Sequence, residues 1–252
     1  MVIWITGAGS GLGRELARQY AALGHEVAVS ARTSENLQSL ARECEAMPGN
    51  IHAYPCDVTV LDSVKYAFHW ITDDIGVPDK VIFNAGTHIP SPLDQFDHKI
   101  HRSLMEVNYM GVVNGLETVL PQLRERGSGQ IILVASLAAY RGLPYAGAYG
   151  ASKAALINLA ESLKPEMERS GLDLRLVNPG FVRTQLTDLN EFDMPFLMEV
   201  DQAAHAMIRG LEGSRFEIVF PRRLGIVMSL LKGLPDRFFF ALGRQMLRKE
   251  QD

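Results

Sequence analysis

The 252-residue sequence holds only two cysteines, Cys44 and Cys56, and they form no CxxC pair. That excludes a disulfide framework and a cysteine-based zinc module, and it fits a reducing compartment. A basic surplus is missing as well: 25 Lys and Arg stand against 29 Asp and Glu, a net charge of −4. Proteins that grip nucleic acid by its phosphates need the opposite balance, so no nucleic-acid partner is expected. No apolar run approaches the roughly 20 residues of a bilayer-spanning helix. The residues after Met1, Val2-Ile3-Trp4-Ile5, lack the charged start of a secretory signal. No repeat and no Pro/Gly/Ser-rich linker divides the chain. The expectation is one domain over 1–252, cytoplasmic and without a metal.

What remains is ordinary globular composition, 47% hydrophobic and 21% charged. A chain of this size buries about 70% of its unfolded surface and needs no staple. Short apolar runs at 2–6, 26–31, 51–56, 80–84, 130–136, 172–178 and 216–220 alternate with helix-like stretches at 12–23, 34–46, 61–75, 98–125, 149–169 and 201–212. Several of the short runs are almost continuously apolar, as in strands buried on both faces of a parallel sheet. The pattern predicts an α/β fold: a Rossmann-like, doubly wound parallel sheet of about seven strands in a three-layer α/β/α arrangement.

Thr6-Gly7-Ala8-Gly9-Ser10-Gly11-Leu12-Gly13 follows the first strand and opens a helix. Glycines there permit a tight turn, close backbone approach to a pyrophosphate, and close helix–strand packing. The free N–H groups of the helix start then face the phosphates. The second strand ends at Ser30-Ala31-Arg32. An acidic residue at the place of Ala31 would favour NAD, whereas the Arg32 guanidinium pairs with a 2′-phosphate and favours NADP. Ser10 occupies the place where a second basic residue could stand. Asp57, followed by Val58, suits the adenine edge, the alternative being a helix N-cap there or at Asp62 or Ser63. Asn84-Ala85-Gly86 ends the fourth strand with small residues that let a flat cofactor lie against backbone.

Tyr149 and Lys153 lie four residues apart, on one face of a helix. A phenol ionises near pH 10, too high for neutral-pH proton transfer, and a nearby ammonium lowers that value. Tyr149 can then exchange a proton with a carbonyl or alcohol oxygen. Ser136, at the end of the fifth strand, can hydrogen-bond that oxygen. Asn108, a mediocre helix former inside a long helical stretch, can hold a water in the Lys153 proton path.

These motifs resemble the short-chain dehydrogenase/reductase family, in its single-domain branch. The resemblance covers about 1–185: TGAGSGLG at 6–13, Cys56-Asp57-Val58, FNAG at 83–86, VNYMG at 107–111, Ser136, YGASK at 149–153 and NPGFVRT at 178–184. It implies nicotinamide-dependent oxidoreduction of a small carbonyl/alcohol substrate. Tyr149 would be the general acid/base. Lys153 would also contact the nicotinamide ribose, and Pro179, Gly180, Val182 and Thr184 would hold the carboxamide end. Phe83 departs from the commoner asparagine. The family also implies a homodimer or homotetramer built on the helices near 98–125 and 149–169.

Thr87, His88, Leu137, Tyr145 and Met194 are candidates for the substrate side, within reach of a lid at 185–200. An acid/base role for His88 competes with that of a plain loop histidine. The tail, 222–252, carries seven Lys or Arg against three Asp or Glu, a net of +4 that leaves −8 for the rest. Arg237, Arg244 and Arg248 share one helix face, and Phe239, Leu242 and Met246 another. Such a helix can lie on an anionic membrane, the alternatives being a partner subunit or the substrate pocket. Two other functions stay open: a cofactor-binding regulator without turnover, and a peripheral membrane enzyme acting on lipid-derived ketones or aldehydes.

Overall fold

Strand and helix alternate from the start of the computed structural model, which describes residues 1–187 and 194–248. The order is β1 (Val2–Thr6), α1 (Gly11–Ala22), β2 (Glu26–Ser30), α2 (Ser34–Glu43), β3 (Asn50–Ala53), α3 (Leu61–Asp74), β4 (Lys80–Phe83), α4 (His98–Met105), α5 (Gly111–Arg126), β5 (Gly129–Val134), α6 (Gly147–Arg169), β6 (Leu172–Pro179), α7 (Val200–Leu211), β7 (Glu217–Phe220), α8 (Arg222–Lys232) and α9 (Asp236–Arg248). The strands form one sheet in the order β3-β2-β1-β4-β5-β6-β7, every neighbouring pair parallel.

Side chains alternate across each strand and split the core in two. Ile3, Ile5, Val27, Val29, Ile82 and Ile132 point to one face, where Leu16, Leu37 and Met207 of α1, α2 and α7 cover them. Trp4, Ala28, Val81, Phe83, Ile131 and Leu133 point to the other, under Phe68, Leu116 and Leu156 of α3, α5 and α6. The result is the three-layer, doubly wound arrangement that the alternation of runs predicts. Both cysteines are free and buried, and burial pushes the Cys56 thiol up to about 11.

Three local differences have physical causes. The third strand ends at Ala53 rather than 56, because Pro55 offers no N–H to the ladder, although Tyr54 and Cys56 still donate to Val29 and Ala31. The helical stretch expected over 98–125 is interrupted by a π-helical turn at Glu106–Met110. Before the amphipathic helix α9, the basic tail forms a further helix, α8, for which no helix was expected.

Phe83 is explained by packing. Its ring is buried edge-on to Trp4, with centroids 6.4 Å apart, and fills the space over Gly115 of α5. A Cβ at Gly115 would fall inside the ring's van der Waals surface. Replacing a helix glycine by alanine ordinarily stabilises by up to about 1 kcal/mol. Gly115→Ala is nevertheless expected to lower stability by about 1–3 kcal/mol through overpacking. The urea midpoint measures it, and an unchanged or higher midpoint would contradict this packing.

Candidate active site

β1 lies between β2 and β4, so the chain leaves these strands toward opposite faces and opens a crevice at their carboxyl ends. The glycine turn lines it. Gly7 and Gly11 take left-handed φ of +68° and +54°. A Cβ at Gly7 would stand 2.6 Å from the Ala85 Cα, and one at Gly13 2.5 Å from the Asn84 Nδ2. The turn is thus pressed against the residues after β4, as the close approach of backbone requires. Polar stitches fix the contact. Thr6 Oγ1 accepts from the backbone N–H of Asn84 (3.1 Å) and of Ala85 (3.2 Å). Asn84 Nδ2 donates to the carbonyls of Thr6 (3.1 Å) and Gly7 (3.2 Å). Ser10 is the N-cap of α1, yet its side chain makes no capping bond. The first N–H groups beside Gly11 and Leu12 therefore suit a phosphate.

Gly9 sits against Ala31, where a Cβ would come within 3.2 Å of the alanine's own. Arg32 follows, exposed and without an ion pair among the described residues. Arg14, also near the turn, is instead held by Glu43 at 2.6 Å. Asp57 caps no helix: α3 begins at Leu61 behind Val60, and Ser63 Oγ accepts from the Asp57 N–H at 3.0 Å. The Asp57 carboxylate accepts from the Thr59 N–H and hydroxyl through Oδ1. Val58 packs on Gly111, fixing the start of α5 beside the crevice.

Tyr149, Lys153, Ser136 and Asn108 converge at the end of β5. Lys153 is 4% exposed, and its Nζ donates to the carbonyl of Val134 at 2.9 Å, 5.9 Å from the centre of the Tyr149 ring. Gly86 faces the same point: a Cβ there would lie 3.2 Å from Lys153 Nζ and 3.3 Å from Asn108 Oδ1. The Ser136 hydroxyl accepts from the Ala138 N–H at 3.1 Å and so caps the turn after β5, and it faces the Tyr149 phenol closely enough to lower its pKa. Burial pushes the Lys153 ammonium down to about 8. Burial also raises the Tyr149 phenol above its ordinary value, opposed by the Ser136 hydroxyl. Among the protein's own groups, desolvation thus outweighs the lowering expected from the lysine.

Asn108 is held by protein partners on both sides of the site. Its buried amide sits on the π-helical turn, where the extra residue aims it inward. Oδ1 accepts from the Thr87 N–H at 2.8 Å, while Nδ2 donates to the Thr87 carbonyl (3.0 Å) and to Ser152 Oγ (2.9 Å). Both amide donors are taken by protein, so the side chain positions the segment after β4 against α6.

The substrate candidates separate. His88 meets Tyr149 edge-on, with ring centroids 4.9 Å apart. Tyr145 adopts a left-handed φ of +57° and its carbonyl accepts from the Ser91 N–H at 2.9 Å. Leu137 is 2% exposed and packs with Leu224 and Met228 under α8, so it belongs to a core cluster and not to a substrate wall. Met194 is half-buried at the edge of the proposed lid. Of that lid, 188–193 lie outside the described residues. Its ends are joined where Arg183 N donates to Met198 O (2.9 Å) and Met198 N to Phe181 O (3.0 Å). On the far side of the crevice, Thr184 abuts Gly11, Val182 pairs with Met198, and Gly180 N donates to the Phe220 carbonyl beyond Pro179 at 2.7 Å.

Sequence reasoning missed three supporting residues. Asn178, fully buried, accepts from the Ser136 N–H at 3.1 Å and donates to Glu217 at 2.5 Å. Ser152 donates to the Tyr149 carbonyl at 2.7 Å while accepting from Asn108. Thr6 stitches β1 to β4. Each lies inside a motif already noted, but its partner is remote in sequence. No group of three or more His, Cys, Asp or Glu among the described residues could hold a metal.

The chain is also similar to known proteins. Residues 1–193 match the short chain dehydrogenase family. An uncharacterized oxidoreductase of Myxococcus xanthus is 35% identical over 242 residues, 96% of each chain. An alcohol dehydrogenase from the archaeon Thermococcus sibiricus, solved with 5-hydroxy-NADP, superimposes with a TM-score of 0.79 at 25% identity, covering 87% of this chain and 95% of that one. A short chain dehydrogenase/reductase of Burkholderia phymatum, solved with NAD, gives 0.83 at 23% identity over 91% and 92%, a likeness of fold alone. With the matched family spanning most of the chain and a relative aligned nearly end to end, this protein belongs to the short-chain dehydrogenase/reductase family of oxidoreductases.

Proposed function

We propose that the protein is an NADP-dependent reductase or dehydrogenase of a carbonyl/alcohol pair, with Tyr149 as its general acid/base. The observation that carries the reading is the meeting of Tyr149, Ser136 and the buried Lys153 at the carboxyl end of β5, beside the glycine cradle. A bound dinucleotide would supply or take up the hydride at the substrate carbon. Gly7, Gly9, Ser10, Gly11, Leu12 and Gly13 would hold its phosphates, Asp57 and Val58 its adenine, and Asn84, Ala85 and Gly86 its central face. Pro179, Gly180, Val182 and Thr184 would hold the nicotinamide end. Ser136 hydrogen-bonds the substrate oxygen next to the phenol, and Tyr149 gives it a proton in reduction or removes one in oxidation. Lys153, mostly protonated below about pH 8, favours the phenolate. Asn108 and Ser152 position the two sides of this group.

Arg32 supports NADP over NAD: it is a cation without an ion pair at the end of β2, where a 2′-phosphate would reach. Assembly into a homodimer or homotetramer through α5 and α6 rests on the family resemblance. A second reading, an apolar lipid-derived substrate, is favoured by one feature. A groove of about 420 Å³ between Leu143-Pro144 and α9, walled by Leu231, Phe239, Leu242 and Met246, borders the loop that joins Ser136 to Tyr149.

Tyr149→Phe is expected to lower turnover about 10²–10⁴-fold while leaving the dissociation constant for NADPH unchanged, as read by steady-state assay and titration. Arg32→Ala is expected to weaken NADPH roughly tenfold and NADH little; an unchanged ratio would remove the basis for NADP. Lys153 gives a third outcome. Between about 8 and its ordinary 10.5 the unfolded chain holds this proton more tightly than the folded one. Stability therefore rises with pH through that window, and the cost of burying the cation is complete below it. Lys153→Met is expected to raise the urea midpoint at pH 7, by a margin that shrinks toward pH 10. Equal midpoints at pH 7 would contradict the burial of a charge there.

A further inference from the structure

We propose that α8 and α9 form a docking surface for an anionic lipid bilayer, on which the helices lie without crossing it. The inference goes beyond the reading above and does not depend on which substrate is used. It begins with charge. The residues from 222 onward carry a net of +4, and the rest of the chain −8. Within the two helices, Arg222, Arg223, Arg237 and Arg244 are exposed and make no ion pair among the described residues.

Apolar side chains stand among these cations. On α8, Leu224 and Met228 turn inward, and Ile226, Val227 and Leu230 form the opposite face, with Ile226 63% and Leu230 71% exposed. At 100° per residue, Arg222 and Arg223 fall on that same outer arc. On α9, Phe239 is buried, whereas Phe238 and Phe240 are each about half exposed beside Arg237. Bare Leu, Ile and Phe interspersed with Arg is the composition that sinks into the headgroup boundary, apolar groups below and guanidinium groups at the phosphates. No helix among the described residues is long and apolar enough to cross a membrane.

The surface is built in advance. Arg141 donates to the carbonyls of Leu231 (3.1 Å) and Leu234 (2.5 Å) and to Asp236 (2.5 Å), and its guanidinium lies 4.2 Å from the centre of the Phe239 ring. These bonds fasten the α8–α9 hairpin to the segment between Ser136 and Tyr149. A second copy of the chain is a poorer occupant, because a two-fold contact would set the same arginines against one another.

Co-sedimentation of the whole protein with vesicles tests the proposal. It is expected to bind vesicles of phosphatidylcholine mixed with phosphatidylglycerol, to ignore phosphatidylcholine alone, and to be released by salt. The double variant Arg237→Glu/Arg244→Glu removes four units of charge and is expected to lose on the order of a hundredfold in binding. Ile226→Ser/Leu230→Ser is expected to lose roughly tenfold. Turnover of a water-soluble substrate should stay at the wild-type level in both, so failure here is distinct from failure of the catalytic reading. No binding to the mixed vesicles, or undiminished binding by the arginine variant, would overturn the proposal. So would a fall in oligomer size with Ile226→Ser/Leu230→Ser, which would assign the face to a second copy.

Discussion

A lysine ammonium held inside the protein is the constraint around which this site is arranged. Lys153 reaches from α6 to the last carbonyl of β5, at Val134, and burial there pulls its proton affinity down to about 8. A cation in such a place has few ways to lower its energy: a carbonyl dipole, the face of a nearby ring, or a neighbouring group that becomes anionic. Tyr149 is that neighbour by helix geometry, since four residues on one helix bring two side chains together. Desolvation acts against both charges: it raises the Tyr149 phenol and lowers the Lys153 ammonium.

The surrounding fold serves to hold this pair against a cradle. The sheet order places β1 beside β4, and Thr6 and Asn84 lock the glycine turn onto the residues that follow β4. The Asn108 amide, projected by a π-helical turn, ties Thr87 to Ser152 and so ties the cradle side to α6. Asn178 fixes the backbone of Ser136 from β6. Four strands (β1, β4, β5 and β6), α6 and the π-helical turn are thereby brought to one point.

Much of this was legible from residues alone. Continuous apolar runs gave away strands buried on both sides, and each of the seven lies within about three residues of its expected place. Glycine spacing, the Tyr149–Lys153 interval and Ser136 at a strand end depend on local geometry, and the fold does bring these residues together at one crevice. What stayed hidden depends on partners far along the chain. The break at Glu106–Met110 follows from how Asn108 must be aimed, which no helical period reveals. Leu137 looked like a substrate contact because it follows Ser136, but α8, almost ninety residues later, covers it. Phe83 looked like a lost hydrogen bond until Gly115 supplied the space for its ring. The tail's amphipathic helix was legible from Arg237 onward, where α9 lies, but the turn that joins it to α8 depends on Arg141, which collects the carbonyls there.

With the dinucleotide bound, Lys153 is expected to set the pH at which the Tyr149 phenol ionises. Ultraviolet difference titration of phenolate in the NADP-bound enzyme, with Tyr149→Phe as the blank, measures that ionisation directly. Wild-type protein should ionise at a pH at least about one unit below that of Lys153→Met. Coincident titration curves for the two proteins would contradict the account.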